Sequence, residues 1–229
     1  MYGMKSRSSS AFTLLELITV MAIIAILTGI VVGISGHVQG TVARRRALAE
    51  MTMLNSAIEN YRAETGCVPQ NTDTDFLSPK NHFDPRSPDY ESASLYLYQE
   101  LTGDKSGPGG TGAPDGVPDE GAACYLKQFD PRILKADRDP DTHRITRVHG
   151  FQDPWGFYYG YSTAHLAAEQ AYRRSAGTGG DPQLPTGDKN PGYNSPGPDL
   201  WSTAGTCPAT PPTSQTAKDE LTMKWVKDW

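Results

Sequence analysis

From Phe12 to Ile34 the chain reads FTLLELITVMAIIAILTGIVVGI, 23 residues in which Glu16 is the only charge. As a helix rising about 1.5 Å per residue this run spans about 35 Å, enough to cross a hydrocarbon core of about 30 Å. Beyond it the pattern becomes amphipathic. Ala47, Met51, Leu54, Ile58 and Tyr61 recur at helical spacing and mark one apolar face. Gly66 is suited to cap the C-terminus and Pro69 forbids continuation, so the helix should stop near Glu64. The pattern predicts one stem of about 80 Å, apolar over 12–36 and amphipathic over 37–65. Gly29 and Gly33 form a GxxxG, which lets apolar helices approach closely.

The remainder, 66–229, is expected to form a polar head. Residues 70–91 read as a surface loop, and SASLYLYQELTG as a short helix stopped by Gly103. The next stretch, KSGPGGTGAPDGVPDEG, has few hydrophobes, whereas CYLKQFDPRIL has enough to pack back on the stem. Arg147–Phe151 and Phe157–Ser162 are β-prone runs separated by QDPWG, which predicts a hairpin near 147–162. A second polar insertion covers 173–194, and 195–229 reads as a C-terminal loop region. The fold class expected is α+β: a long N-terminal helix packed on a small head with a short antiparallel sheet and long loops.

Composition agrees with a loop-rich head. There are 23 Gly and 18 Pro, and mean hydropathy is −0.51 despite the apolar run. The net charge of −5 advertises no basic surface, which argues against a nucleic-acid partner. Cys67, Cys124 and Cys207 are too few and too dispersed for a metal-ligand pattern, and no pairing among them is predicted. The five histidines form no close ligand pair, and no nucleophile elbow, phosphate loop or dinucleotide fingerprint occurs. The carboxylate pairs around Asp137, Asp139 and Asp141 lie in a solvated, proline-bearing stretch. No enzyme is predicted.

The chemistry instead gathers at the start. A carboxylate inside a membrane helix costs about 2.5–3.5 kcal/mol at the bilayer centre and less near an interface, so Glu16 needs compensation. Residues 1–11, MYGMKSRSSSA, are polar and basic through Lys5 and Arg7, and end in a small residue before the apolar run. An ordinary secretory signal is cut after its apolar run. Cleavage between Ala11 and Phe12 would free an α-amino group able to neutralise Glu16 of a neighbouring helix. Arg44, Arg45 and Arg46 follow the run, so charge alone leaves the orientation open. They read as a solvated face, or as partners for lipid or another subunit.

The block A-FTLLE with its apolar helix resembles the class III signal of type IV pilins and type II secretion pseudopilins. That resemblance implies a leader at 1–11, cleavage between Ala11 and Phe12 by a membrane peptidase, N-methylation of Phe12, and a register role for Glu16. The family normally has Gly where this chain has Ala11. The resemblance also places the leader in the cytoplasm and the head in the periplasm, anchored singly in a bacterial inner membrane. Asp153, Pro154, Trp155 and Gly156, with Tyr159 and Tyr161 following, resemble the hairpin motif of the major pseudopilin. SPGPDLWSTAG and KDELTMKWVKDW resemble its terminal loop, which implies calcium held by Asp199 and Asp219 with carbonyls of 195–200. Here Leu200 replaces the usual Gly. The alternative is a metal-free loop in which Asp199 is tied to backbone amides.

The function implied is a structural subunit of a periplasmic pseudopilus that supports protein export. Its partners would be further copies of itself in a helical homopolymer, the prepilin peptidase and methyltransferase, other pseudopilins and an inner-membrane assembly platform. The alternatives are a type IV pilin of a surface filament serving adhesion, motility or DNA uptake, and a membrane-anchored binding protein.

Overall fold

The computed structural model describes residues 14–107, 112–176, 190–194 and 197–229, and of residues 30–38 the backbone alone. In chain order the elements are α1 (Leu14–Thr65), α2 (Thr72–Phe76), α3 (Pro88–Thr102), β1 (Leu134–Arg138), β2 (Ile145–Phe151), β3 (Gly160–Ser162), α4 (Ala164–Ala176), β4 (Asp199–Ser202), α5 (Gln215–Thr222) and β5 (Val226–Lys227). Two compact units divide the chain, Met1–Val42 and Ala43–Trp229.

In the first unit α1 carries exposed apolar side chains from Leu14 to Leu27. Thr19 donates its hydroxyl to the carbonyls of Leu15 and Glu16, and Thr28 donates to that of Ile24. Both hydroxyls are thus satisfied within the helix, as an apolar surrounding requires. Among the described residues no helix is long and apolar enough to cross a membrane. The expected 12–36 span begins and ends partly outside those residues or where only backbone is described.

The second unit is built on the amphipathic end of α1. Ala47, Met51, Leu54 and Ile58 are buried, and the ring of half-buried Tyr61 meets Tyr125 edge-on at 5.1 Å. Gly66 ends the helix in the left-handed region, φ 80°, where its N–H reaches the Arg62 carbonyl at 2.8 Å. Helix α3 covers this face with Leu97, Tyr98 and Leu101. Strand β2 adds Val148 and Phe151, and the Ser94 hydroxyl both accepts from the Phe151 N–H and donates to its carbonyl. A second cluster joins Leu77, Phe83, Tyr90, Ala93, Tyr158, Trp201 and Trp225.

There are two small antiparallel sheets among the described residues, β1-β2 and β3-β4-β5. The expected hairpin is therefore shorter than the sequence suggests. A single bridge, Gln152 to Tyr158, closes the turn, after which β2 pairs with β1 and β3 with β4. The divergence has a local cause: the Asp153 carboxylate takes the N–H groups of Trp155 and Phe157, which tightens the turn and leaves those amides with no cross-strand role. Helix α4, rich in Ala, Leu, Glu and Gln, fills a place where no element is expected above, and α3 starts at Pro88, four residues earlier than the SASLYLYQELTG reading.

Candidate functional site

Ala11 and Phe12 lie outside the described residues. Glu16 occupies the first turn of α1, where the aligned peptide dipoles favour an anion. Its neighbours Leu14, Leu15 and Leu17 are 78%, 73% and 57% exposed. An exposed apolar helix surface of this kind is suited to meet lipid or another apolar helix.

The DPWG turn is the best-defined feature of the head. The Asp153 side chain is buried, accepting from the Trp155 and Phe157 N–H groups at 3.0 Å and from the Ser202 hydroxyl on β4. Burial pushes its carboxyl above the usual range, opposed by the Ser202 hydroxyl and those two amides. Pro154 precludes an N–H at a position that needs none, and Gly156 donates to the Asp153 carbonyl at 2.9 Å. Beyond the turn, Tyr159 donates to Glu50 at 2.7 Å, and Glu50 accepts from Arg46 at 2.6 Å. Tyr161 donates to the Pro69 carbonyl at 2.8 Å. The alternating tyrosines thus fasten the turn to α1 and to the segment after it. Trp155, half-buried, packs against the main core cluster. The arrangement is architectural, with no acid, base or nucleophile presented to a cavity.

Replacing Asp153 by Ala strands two amides and a hydroxyl, each worth about 1–3 kcal/mol when buried and unpaired. The head is expected to lose about 3 kcal/mol, read as a fall of roughly 6–12 °C in melting temperature. Asp153→Asn keeps one acceptor and should lose less. An unchanged melting temperature in both variants would refute the clamp.

At the C-terminal region Asp199 opens β4 and is buried. Its oxygens accept from the Tyr193 N–H and, at 2.6 Å, from the Asn194 N–H. Asp219 lies apart on α5, accepting from the Gln215 amide at 2.8 Å. As placed, the groups facing Asp199 are N–H donors, and among the described residues no three or more His, Cys, Asp or Glu gather to hold a metal. Ser195 and Pro196 lie outside the described residues. The carboxylate that does approach Asp199 is Asp228, which accepts from the Leu200 N–H at 3.1 Å and from Asn55 on α1 at 3.3 Å. Asp228 escaped the sequence reading because an acid next to Lys227 in a short polar stretch looks solvated.

Burial holds the Asp199 carboxyl up at about 6, opposed by the Asn194 and Tyr193 amides. Burial likewise raises Asp104, Asp153 and Asp228. A carboxyl raised above its unfolded value near 3.9 binds its proton more tightly when folded. Its stabilising effect is complete below about pH 3.9 and is lost as pH rises through about 6. The head is expected to melt higher at pH 5 than at pH 7.5, with Asp199→Asn flattening that slope; a parent slope of the opposite sign would contradict the assignment. Asp84 and Asp130, lowered to about 2 chiefly by hydrogen bonds from Arg86 and Arg132, act in the reverse sense and only below about pH 4.

The three cysteines are free thiols. His149 was not singled out by the sequence, yet its ring nitrogens lie 3.0 Å from Glu91 and 3.0 Å from Asp137, joining α3, β1 and β2.

Among comparisons with known proteins, the family model described as the prokaryotic N-terminal methylation motif matches residues 6–32, the segment containing Ala11, Phe12 and Glu16. That match supports a type IV pilin-like protein. No curated protein and no solved structure matches the chain.

Proposed function

We propose that the chain is a pseudopilin, a structural subunit of a type II secretion pseudopilus that polymerises through α1 after its leader is removed. The observation that carries this reading is the methylation-motif match at 6–32, coinciding with an exposed apolar helix whose first turn holds Glu16. The apolar run Phe12–Ile34 inserts in the inner membrane, the head lies in the periplasm, and a membrane peptidase cuts between Ala11 and Phe12. Methylation then falls on Phe12, and the amine of one subunit meets Glu16 of the next as the apolar helices bury each other. Other pseudopilins and an inner-membrane assembly platform complete the machine. The resemblance of Asp153–Gly156 to the hairpin motif of the major pseudopilin favours that reading over a surface pilin.

Intact-mass and N-terminal peptide analysis of the protein from its own membranes tests the reading. The expected species begins at methylated Phe12; a chain still carrying residues 1–11 overturns it. If the N-terminus is processed but the filaments are surface-exposed, the pilin alternative takes its place. Calcium at Asp199 and Asp219 is a separate proposal, supported by the energetic cost of a buried carboxylate beside Asp228. Chelation should lower the melting temperature of the purified protein if the ion is bound, and leave it unchanged if amides alone hold Asp199.

A further inference from the structure

At the start of the second unit, α1 presents Arg44 and Arg45 outward, with Leu48 one turn on and 51% exposed. The guanidinium of Arg44 donates to the carbonyl of Lys224 in the bend after α5. That bond brings a second basic and apolar pair to the same place: exposed Lys224 and Met223, the latter 71% exposed. The next arginine, Arg46, is paired with Glu50, but among the described residues Arg44, Arg45 and Lys224 are in no ion pair with a carboxylate. In a chain of net charge −5, these three cations surround two exposed apolar side chains, with Asp219 and Glu220 exposed on the last turns of α5 beside them.

We propose that Arg44, Arg45, Lys224, Met223 and Leu48 form a docking surface for the anionic phospholipid headgroups of the membrane that holds the apolar run. The inference rests on the membrane reading above and adds a lipid contact by the head itself. Charge complementarity selects the occupant: basic side chains meet phosphate, and Met and Leu enter the interfacial layer beside them. Arg44 follows Ile34 by only ten residues in the sequence, and its long side chain extends the reach of its charge. The consequence is a parked subunit, its head held to the bilayer until assembly pulls it away.

The test uses the full chain with Cys67, Cys124 and Cys207 changed to Ser and a spin label at Met223→Cys, reconstituted in vesicles of phosphatidylcholine with or without phosphatidylglycerol. In anionic vesicles the label is expected to be shielded from a water-soluble relaxation agent, and the shielding to disappear in high salt. Each basic residue near an anionic surface favours docking about fivefold, so R44Q/R45Q/K224Q should return the label to its exposure in neutral vesicles. Because Arg44 also braces the bend, R45Q/K224Q is run beside it and should lose about 25-fold in docking with the melting temperature unchanged. Equal exposure in both vesicle types, with the chain resistant to carbonate extraction, overturns the docking surface alone. Shielding that follows protein density and ignores lipid charge overturns it in favour of a second copy. A chain extracted by carbonate overturns the membrane reading, and the docking falls with it.

Discussion

A Glu16→Leu chain is expected to enter membranes at least as well as the parent and to fail at polymerisation. The substitution removes the only charge in the apolar run, lowering the insertion cost by up to about 2.5–3.5 kcal/mol. On the pairing proposed above, it also leaves the amine of a neighbouring Phe12 unpaired in an apolar surrounding. Removing one member of a desolvated ion pair costs about 3–5 kcal/mol, a factor of more than about 100 in subunit association. Glu16→Asp keeps the charge on a shorter arm and should retain part of the yield. Sheared filaments quantified against total membrane-bound protein give the ratio that matters. A parental ratio in Glu16→Leu would dispose of the pairing.

The second large effect is expected in the head, at Gly160→Ala. Gly160 faces Trp201 across the β3-β4 pair, and an added Cβ would lie 2.1 Å from Cε2 and 2.3 Å from Cζ2 of that indole. Trp201 has no room to yield. It is fully buried, donates to the Tyr90 hydroxyl at 3.0 Å, and lies between Tyr90 and Trp225, whose ring it stacks on at 6.1 Å. Overpacking against so fixed a side chain costs about 3 kcal/mol or more, a fall of roughly 10 °C in melting temperature. Trp201→Ala should cost about 3–5 kcal/mol through the cavity it leaves. The two changes share one space, so the double variant should be far less damaged than the sum. Additive losses would mean that the contact is not the cause.

What could be read from the residues was what repeats at helical period. The apolar face of α1 was legible because Ala47, Met51, Leu54 and Ile58 recur in register with one partner surface, and Gly66 marks its end. Strand β1, LKADR, was not: it carries three charges, and two register irregularities against β2 blur any alternation. Strands β4 and β5 have four and two residues, too short for a pattern, and their partners are distant in the chain. Helix α5 did carry a signal, since Ser214 accepts from the Ala217 N–H as an N-cap, but prolines just before it masked the start. The candidate assembly residues were visible as chemistry, one acid in a grease-rich run. The role of Asp153 was not, because a carboxylate that closes a turn and grips Ser202 looks in sequence like any other turn aspartate.

Strand β5 pairs with β4 through Val226 and Lys227, and Asp228 reaches back to Leu200 and Asn55. Removal of residues 226–228 would therefore leave an open sheet edge on β4. A head clipped there would show a bare edge and uncovered tryptophans, a substrate for proteases and for aggregation. Survival of the head against proteases thereby depends on these three residues.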